Sequence, residues 1–449
     1  MSSSPRVDID GVSVSPEHYI NGRRVASPRT FEDRSPLDWS WKLADVARGG
    51  AIEAGQAVAA AVDAFPTWSA LSNDERGRYL ERLADLIDRD IERIAHVECL
   101  DMAMLEESLR LRVIARGARN FRAYAQLARE YVARQWTSNG TANSVLRMPA
   151  GPTVVITPWN APFMLSTWKC APALAAGNTV VLKPAEWSPL SCSLLMDLVD
   201  EAGFPPGVFN VVQGLGEEVG VGKDQEGTLA AELDAAAEKA ALMYDDGGQV
   251  CLAGTRLLVD ETIRDHFVEL FESATARHRL GDSRDESTTV SPLIHPEHLA
   301  RVDGFVQRAR ANGDRVVFGG RALREGELWY EPTLIEPKSN DSEVVQREIF
   351  GPVLTLQSFE SEDEAVRLAN STPYGLSAVA FTSSDERAQR LGATLRAGTI
   401  WVNCFLVRDL SAPFGGIGIS GIGREGGDYA LDFYSDLKTL QIKEGTTHG

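Results

Sequence analysis

Cysteine is scarce in this 449-residue chain, and its arrangement excludes more than its number does. Cys99, Cys170, Cys192, Cys251 and Cys404 are odd in number, far apart and never set as CxxC, which argues against a disulfide framework and a structural zinc site. Seven scattered histidines supply no ligand pair at helical spacing, so no metal centre is expected. Apolar runs long enough to span a bilayer are missing. The first ten residues lack the basic start and apolar centre of a signal peptide, and a cytoplasmic location is expected. Positive charge is also short: 45 Lys and Arg stand against 64 Asp and Glu, a formal net charge of −19. Nucleic acid and anionic membrane surfaces are poor partners for such a chain. Its acidic residues come in short pairs, such as Glu106-Glu107, Glu217-Glu218 and Asp285-Glu286, and read as solvated surface rather than a tail. Repeats and low-complexity tracts are absent.

What remains is an ordinary globular composition, 43% hydrophobic and 24% charged, in a chain long enough for two or three domains. Residues 17–45 read as short extended pieces with turns. Helical stretches are expected at 52–65, 74–100 and 111–134. In the second, Leu80, Leu83, Leu86 and Ile87 recur at the spacing of one buried face, and Ser72-Asn73 caps its start. From Thr153 the pattern alternates, with strands at 153–156, 179–183 and 208–212 and helices at 162–176 and 189–202. Short strands buried on both faces and joined by helices predict a parallel doubly wound sheet, which binds ligands at the carboxyl ends of its strands. A fourth strand is due next and does not come. Residues 217–227 are polar and glycine-rich, and a helix-like run over 229–243 follows at once. A second α/β pattern occupies 255–410.

Between that helix-like run and a strand-like run at 256–259 lies Asp245-Asp246-Gly247-Gly248-Gln249-Val250-Cys251. A cysteine on a glycine-flexed turn offers its sulfur to a cleft. A thiolate is the best nucleophile among ordinary side chains near neutral pH. The competing reading is an inert, buried cysteine.

Six runs then occur in order: Thr157-Pro158-Trp159-Asn160, Lys183-Pro184-Ala185-Glu186, Gly248-Gln249-Val250-Cys251, Glu348-Ile349-Phe350-Gly351-Pro352-Val353, Trp401-Val402-Asn403 and Pro413-Phe414-Gly415-Gly416. Together they resemble the aldehyde dehydrogenase superfamily over nearly the whole chain, and the nearest likeness is to hydroxymuconic-semialdehyde dehydrogenases. The resemblance implies an α/β fold with three parts. These are a Rossmann-like cofactor domain (1–135 and 148–229), an α/β catalytic domain with the thiol (230–425), and a small arm and tail (136–147 and 426–449) that pairs subunits in a homodimer or homotetramer. It implies that Cys251 attacks an aldehyde while the Asn160 amide and the Cys251 backbone N–H hold the oxyanion. For Asn160 the bland alternative is a turn residue after Pro158. Lys183 and Glu186 match positions that hold the adenine-side ribose of a nicotinamide cofactor. Glu348 and Phe350 match those at its nicotinamide end, and Trp159 stands with them. Without the resemblance, Lys183 reads as a surface residue at a strand end. Trp168, Tyr244 and Phe405 are candidates for an apolar substrate entrance and Arg408 for a substrate carboxylate, although aromatic residues on helices are more often core.

The chain also departs from the family. Cys251 follows Asn160 by 91 positions and Glu348 follows Cys251 by 97. The second spacing is the family's, whereas the first is short by roughly forty residues, slightly more than one β-α-β unit of ~30. The cofactor domain is therefore expected to lack about one β-α unit between Gly220 and Ala230. Missing with it are the Gly-Ser-Thr-like turn that meets the pyrophosphate and the Leu-Glu-Leu-Gly-Gly-like segment whose glutamate activates water. Asp246 stands where the family has asparagine, and Asp245 where it often has an aromatic. Either these carboxylates raise the thiol pKa, or one replaces the missing base, or both are solvated loop residues. Ile417-Gly418-Ile419 precede Ser420 where the family usually has a lysine.

Three functions are open. The leading expectation is an enzyme that has lost NAD(P)-dependent hydride transfer and binds NAD(P) weakly or not at all. Its Cys251 and Asn160 would serve non-redox covalent chemistry (hydrolysis, acyl transfer or condensation) on an aldehyde or acyl thioester. The alternative is an NAD(P)-dependent dehydrogenase that oxidises a small semialdehyde to the acid. The third is a catalytically silent scaffold or partner subunit.

Overall fold

The computed structural model describes residues 6–215, 228–229, 233–323, 326–407 and 409–443. Short N-terminal hairpins include β1 (His18–Ile20) and β2 (Arg23–Val25) and lead into three helices, α1 (Ala51–Ser69), α2 (Asn73–Arg89) and α3 (Ile91–Met102). Ser72 caps α2 as expected: its hydroxyl accepts the Glu75 N–H, and the Glu75 carboxylate returns to the Ser72 N–H. The single helix expected over 74–100 is two helices. Asp90, held by Arg89 and Arg93, leaves helical geometry (φ −101°, ψ 16°) and ends one as it starts the other. α4 (Ala115–Glu130) follows a wide π turn, Leu109–Ile114, and stops at the extended Tyr131 rather than at 134.

The arm is a three-stranded antiparallel sheet. β3 (Gln135–Ser138) and β4 (Thr141–Pro149) form its hairpin, and the last strand, Ser435–Lys443, pairs with β4 in full register from Ser435↔Pro149 to Lys443↔Thr141.

The first central sheet has the order β2-β1-β7-β6-β5. Its parallel strands β5 (Thr153–Ile156), β6 (Val180–Lys183) and β7 (Phe209–Val211) are linked by α5 (Pro162–Ala175) and α6 (Leu190–Glu201), and β1 joins β7 antiparallel. All four residues of β6 are buried, as a strand covered on both faces must be. Among the described residues this sheet ends at β5, where Val154 and Ile156 are 56% and 40% exposed. No strand is seen beyond β5 among the described residues. Residues 217–227, and with them most of the expected shortening, lie outside the described residues.

The second sheet runs β8-β9-β12-β11-β10. It contains β8 (Thr228–Leu229), β9 (Arg256–Asp260), β10 (Arg315–Phe318), β11 (Thr333–Glu336) and β12 (Val353–Phe359), all parallel except β10. Its helices include α7 (Leu233–Ala241), α8 (Arg264–Thr275) and α9 (Pro296–Asn312). The helix expected from Leu229 starts at Leu233, because Thr228 and Leu229 pair with Leu257 and Leu258. A domain boundary after residue 229 therefore falls behind a strand of the second sheet. Ser377–Ala380 and Thr399–Val402 form a separate parallel pair. Among the described residues no helix is long and apolar enough to cross a membrane.

Candidate active site

A tight turn, Leu242–Gly248, carries the chain from α7 to Cys251. Asp246, Gly247 and Gly248 take successive left-handed conformations, with φ of 53°, 65° and 68°. Glycine is required at 248, because an added Cβ would lie 2.3 Å from the Gly351 carbonyl oxygen. The buried Gln249 pins the turn from within. Its amide nitrogen donates to the Asp246 carbonyl (2.9 Å) and the Pro292 carbonyl (3.2 Å), and its oxygen accepts the Ile294 N–H at 2.9 Å.

Asn160 arrives from the carboxyl end of β5, ahead of the left-handed Ala161 that starts α5. Its Nδ2 donates to the Gln249 carbonyl at 3.0 Å, so the amide stands beside the turn that presents the thiol. The structure thus brings Asn160 and the Cys251 turn together. Cys99, Cys170 and Cys192 are buried, and burial pushes their thiols up, Cys192 to about 12. Cys251 is half-buried, and no disulfide holds it.

The two carboxylates on the turn are not solvated loop residues. Both are half-buried, and one Asp246 oxygen is wholly shielded without a hydrogen-bond partner among the described residues. Burial, then the Asp246 charge, pushes Asp245 up to about 7, against the pull of Arg112. Burial likewise pushes Asp246 up to about 6, partly offset by Arg112 and the Leu105 N–H. Near neutral pH the pair carries less than two full charges, which weakens the like-charge pressure on the thiol.

The substrate candidates divide. Tyr244 is not a lining residue: it is 0% exposed, packs on Phe271 and His278, and donates its hydroxyl to the Thr333 carbonyl at 2.8 Å. A tyrosine next to a turn looks available in sequence, and only the packing of the second sheet shows it as core. Trp168, buried on α5, stacks on Phe414 with ring centroids 5.3 Å apart. Phe405 is half-buried edge-on to Trp401 and lines a small apolar cavity with Met243 and Phe381. Arg408 lies outside the described residues. A residue not foreseen is Arg116 on α4. Its guanidinium lies 5.4 Å from the Trp168 ring centre, its Nε donates to Asn120, burial lowers its pKa, and no carboxylate pairs with it among the described residues. The signal was an arginine set among Ala115, Gly117 and Ala118 on a helix face that packs inward.

The cofactor candidates are contiguous. Lys183, the last residue of β6, is buried rather than on the surface, and its Nζ donates to Glu186 at 2.8 Å. Trp159 lies 5.9 Å from Trp187, next to Glu186, and edge-on at 5.3 Å to Phe350, which is itself left-handed (φ 59°). One aromatic path therefore links the carboxyl end of β6 to the Glu348–Phe350 loop.

The aldehyde dehydrogenase family model matches residues 24–222 and 228–440. The 2-hydroxymuconic semialdehyde dehydrogenase of Pseudomonas sp. (strain CF600) is 36% identical over 482 residues, covering 95% of this chain and 99% of that protein. Among solved structures, HpcC of Thermus thermophilus has a TM-score of 0.92 at 38% identity, covering 100% of this chain and 99% of its own. AldA, the indole-3-acetaldehyde dehydrogenase of P. syringae, solved with NAD+ and IAA, has a TM-score of 0.93 at 32% identity and covers 97% of this chain and 98% of its own. Shared fold, shared sequence and an amide held against the thiol-bearing turn have one reading: the chain is a cysteine-dependent enzyme belonging to the aldehyde dehydrogenase family.

Proposed function

We propose that this enzyme oxidises a carboxylate-bearing semialdehyde to the acid with NAD(P), which reverses the leading expectation of non-redox chemistry. The observation that carries this reading is a contact. The nucleophile turn, through Gly248, lies directly on Gly351 of the loop that holds the cofactor candidates Glu348 and Phe350. Thiol and cofactor groups so placed serve one reaction, and the dehydrogenase relatives favour oxidation over hydrolysis or condensation.

In this reading Cys251 Sγ adds to the aldehyde carbon, and the Asn160 amide and the Cys251 N–H hold the resulting oxyanion. A bound nicotinamide cofactor would supply the two-electron acceptor for oxidation of this adduct. Lys183 and Glu186, a donor and an acceptor 2.8 Å apart, suit the vicinal hydroxyls of one ribose, and Glu348, Phe350 and Trp159 suit the other end. The residues present thus fit both ends of the cofactor. Water then releases the acid. Asp246, which shares the turn leading to Cys251 and whose pKa burial pushes up to about 6, is the candidate to take the proton in that step. Arg116, stacked on Trp168 and without a carboxylate of its own, receives the substrate carboxylate, with Arg408 as a second candidate.

The shortening of the cofactor domain between Gly220 and Ala230 is proposed on the break in the family match at 223–227 and the open edge of β5. The division into cofactor, catalytic and arm parts rests on the two sheets and the arm. Pairing of copies through the arm, as a homodimer or homotetramer, is supported by exposed Leu437, Leu440 and Ile442 on its last strand. Five thiols without a disulfide suit the reducing cytoplasm.

The test is oxidation of a carboxylate-bearing semialdehyde, followed by reduced cofactor formation. Arg116→Ala should raise KM for that substrate about tenfold or more and leave KM for a neutral aldehyde nearly unchanged. Equal effects on both substrates would remove Arg116 from the reading.

A further inference from the structure

The carbonyls of three consecutive residues, Glu348, Ile349 and Phe350, are all held by one face of α9. His298 Nε2 donates to the Phe350 carbonyl at 2.7 Å. Arg301 donates one Nη to the Glu348 carbonyl at 2.6 Å and the other to the Ile349 carbonyl. The next residue of the loop, Gly351, packs against Val302, whose methyl would lie 2.6 Å from an added Cβ. His298 and Arg301 are three positions apart and so share a helix face. A carbonyl only accepts, so His298 must present Nε2–H, and the planar fork of Arg301 reaches two adjacent carbonyls as a lysine cannot.

The same stretch of chain grips the other side of the site. The Pro292 carbonyl and the Ile294 N–H, just ahead of α9, hold the Gln249 side chain, and Gly248 rests on Gly351. Residues 292–302 therefore touch the nucleophile turn at one end and the Glu348–Gly351 loop at the other. Phe350 sits in the left-handed region, which costs a bulky residue strain and persists only where neighbours enforce it. The His298 ring, edge-on to Trp159 at 5.4 Å, is buried, and burial holds its pKa down at about 4, so it stays a neutral donor near pH 7.

We propose that His298 and Arg301 are positioning residues that clamp the Glu348–Phe350 loop and fix the nicotinamide end of the site relative to Cys251. The clamp rests on the oxidation reading for its catalytic meaning, although the contact itself does not. Arg301→Ala, Arg301→Lys and His298→Gln test it, with amide hydrogen exchange at 348–351 measured beside activity. Arg301→Ala should speed exchange at those amides about tenfold and raise KM for the nicotinamide cofactor by a similar factor. Alkylation of Cys251 by iodoacetamide should stay within about twofold of wild type. Arg301→Lys should fall between, because it keeps the charge and loses the fork. Unchanged exchange in both Arg301→Ala and His298→Gln would overturn the clamp. A parallel fall in alkylation, oxidation and Tm would also overturn it, by showing a merely structural role. If the wild type reduces no nicotinamide cofactor while exchange still rises in Arg301→Ala, the oxidation reading fails and the clamp on the loop stands.

Discussion

In the proposed reaction Asn160 and Cys251 act together, and the Asn160 amide stands within hydrogen-bond distance of the turn that carries Cys251, so their replacement separates chemistry from folding. Cys251→Ala should abolish adduct formation with an aldehyde, read by mass, while Tm stays close to wild type. Asn160→Ala should keep the adduct and lower kcat by about 10²–10³. Asp246 gives a pH-dependent expectation. Its folded-state pKa, about 6, lies above the unfolded value of about 4. The stability it contributes is complete below about pH 4 and is lost as pH rises through 6. Asp246→Asn should therefore flatten the fall in stability between pH 5 and 8, by about 1–2 kcal/mol at the upper end given partial exposure. Denaturant midpoints at the two pH values check this, and an unaltered slope would contradict the buried setting. That Asn160 would lie beside the Cys251 turn was legible because each sits in a short run of the family resemblance, and the Asn160–Gln249 bond brings them together. Arg116 and the Tyr244 correction were not, since both depend on which helix packs where.

Elements were legible where periodicity and caps agree, as at Ser72, and illegible where a side chain overrides the pattern. The Asp90 break between α2 and α3 is set by its pairing with Arg89 and Arg93, which no apolar spacing records. Thr228–Leu229 is too short to announce itself as a strand, and only its partners in β9 define it. Among the described residues β5 is the last strand of its sheet. Its Thr-Val-Val-Ile run has no charged residue to discourage edge pairing. Ile156→Lys should reduce aggregation on concentration, followed by light scattering, and change stability by no more than about 0.5 kcal/mol, as expected for an exposed site. A large loss of stability would mean that the edge is covered. At the opposite edge of the site, Gly248→Ala forces a Cβ to 2.3 Å from the Gly351 oxygen and should cost activity even where the fold survives.

The molecule as a whole has two α/β sheets, and contacts between their loops bring the Asn160 amide to the thiol turn and Trp159 to Phe350. Sequence spacing placed these residues in the right family and left the reaction open, because what the chain can bind is a property of how its two sheets and loops assemble. The donor-acceptor pair Lys183–Glu186 and the loop held by His298 and Arg301 argue that cofactor binding survives. Calorimetric titration of the purified enzyme with NAD and NADP decides this most directly. Binding of either in the micromolar range, lost about tenfold or more in Glu348→Ala, is the predicted result. No heat at millimolar cofactor, from protein whose Cys251 still forms an adduct with an aldehyde, would contradict the account and return the enzyme to non-redox thiol chemistry.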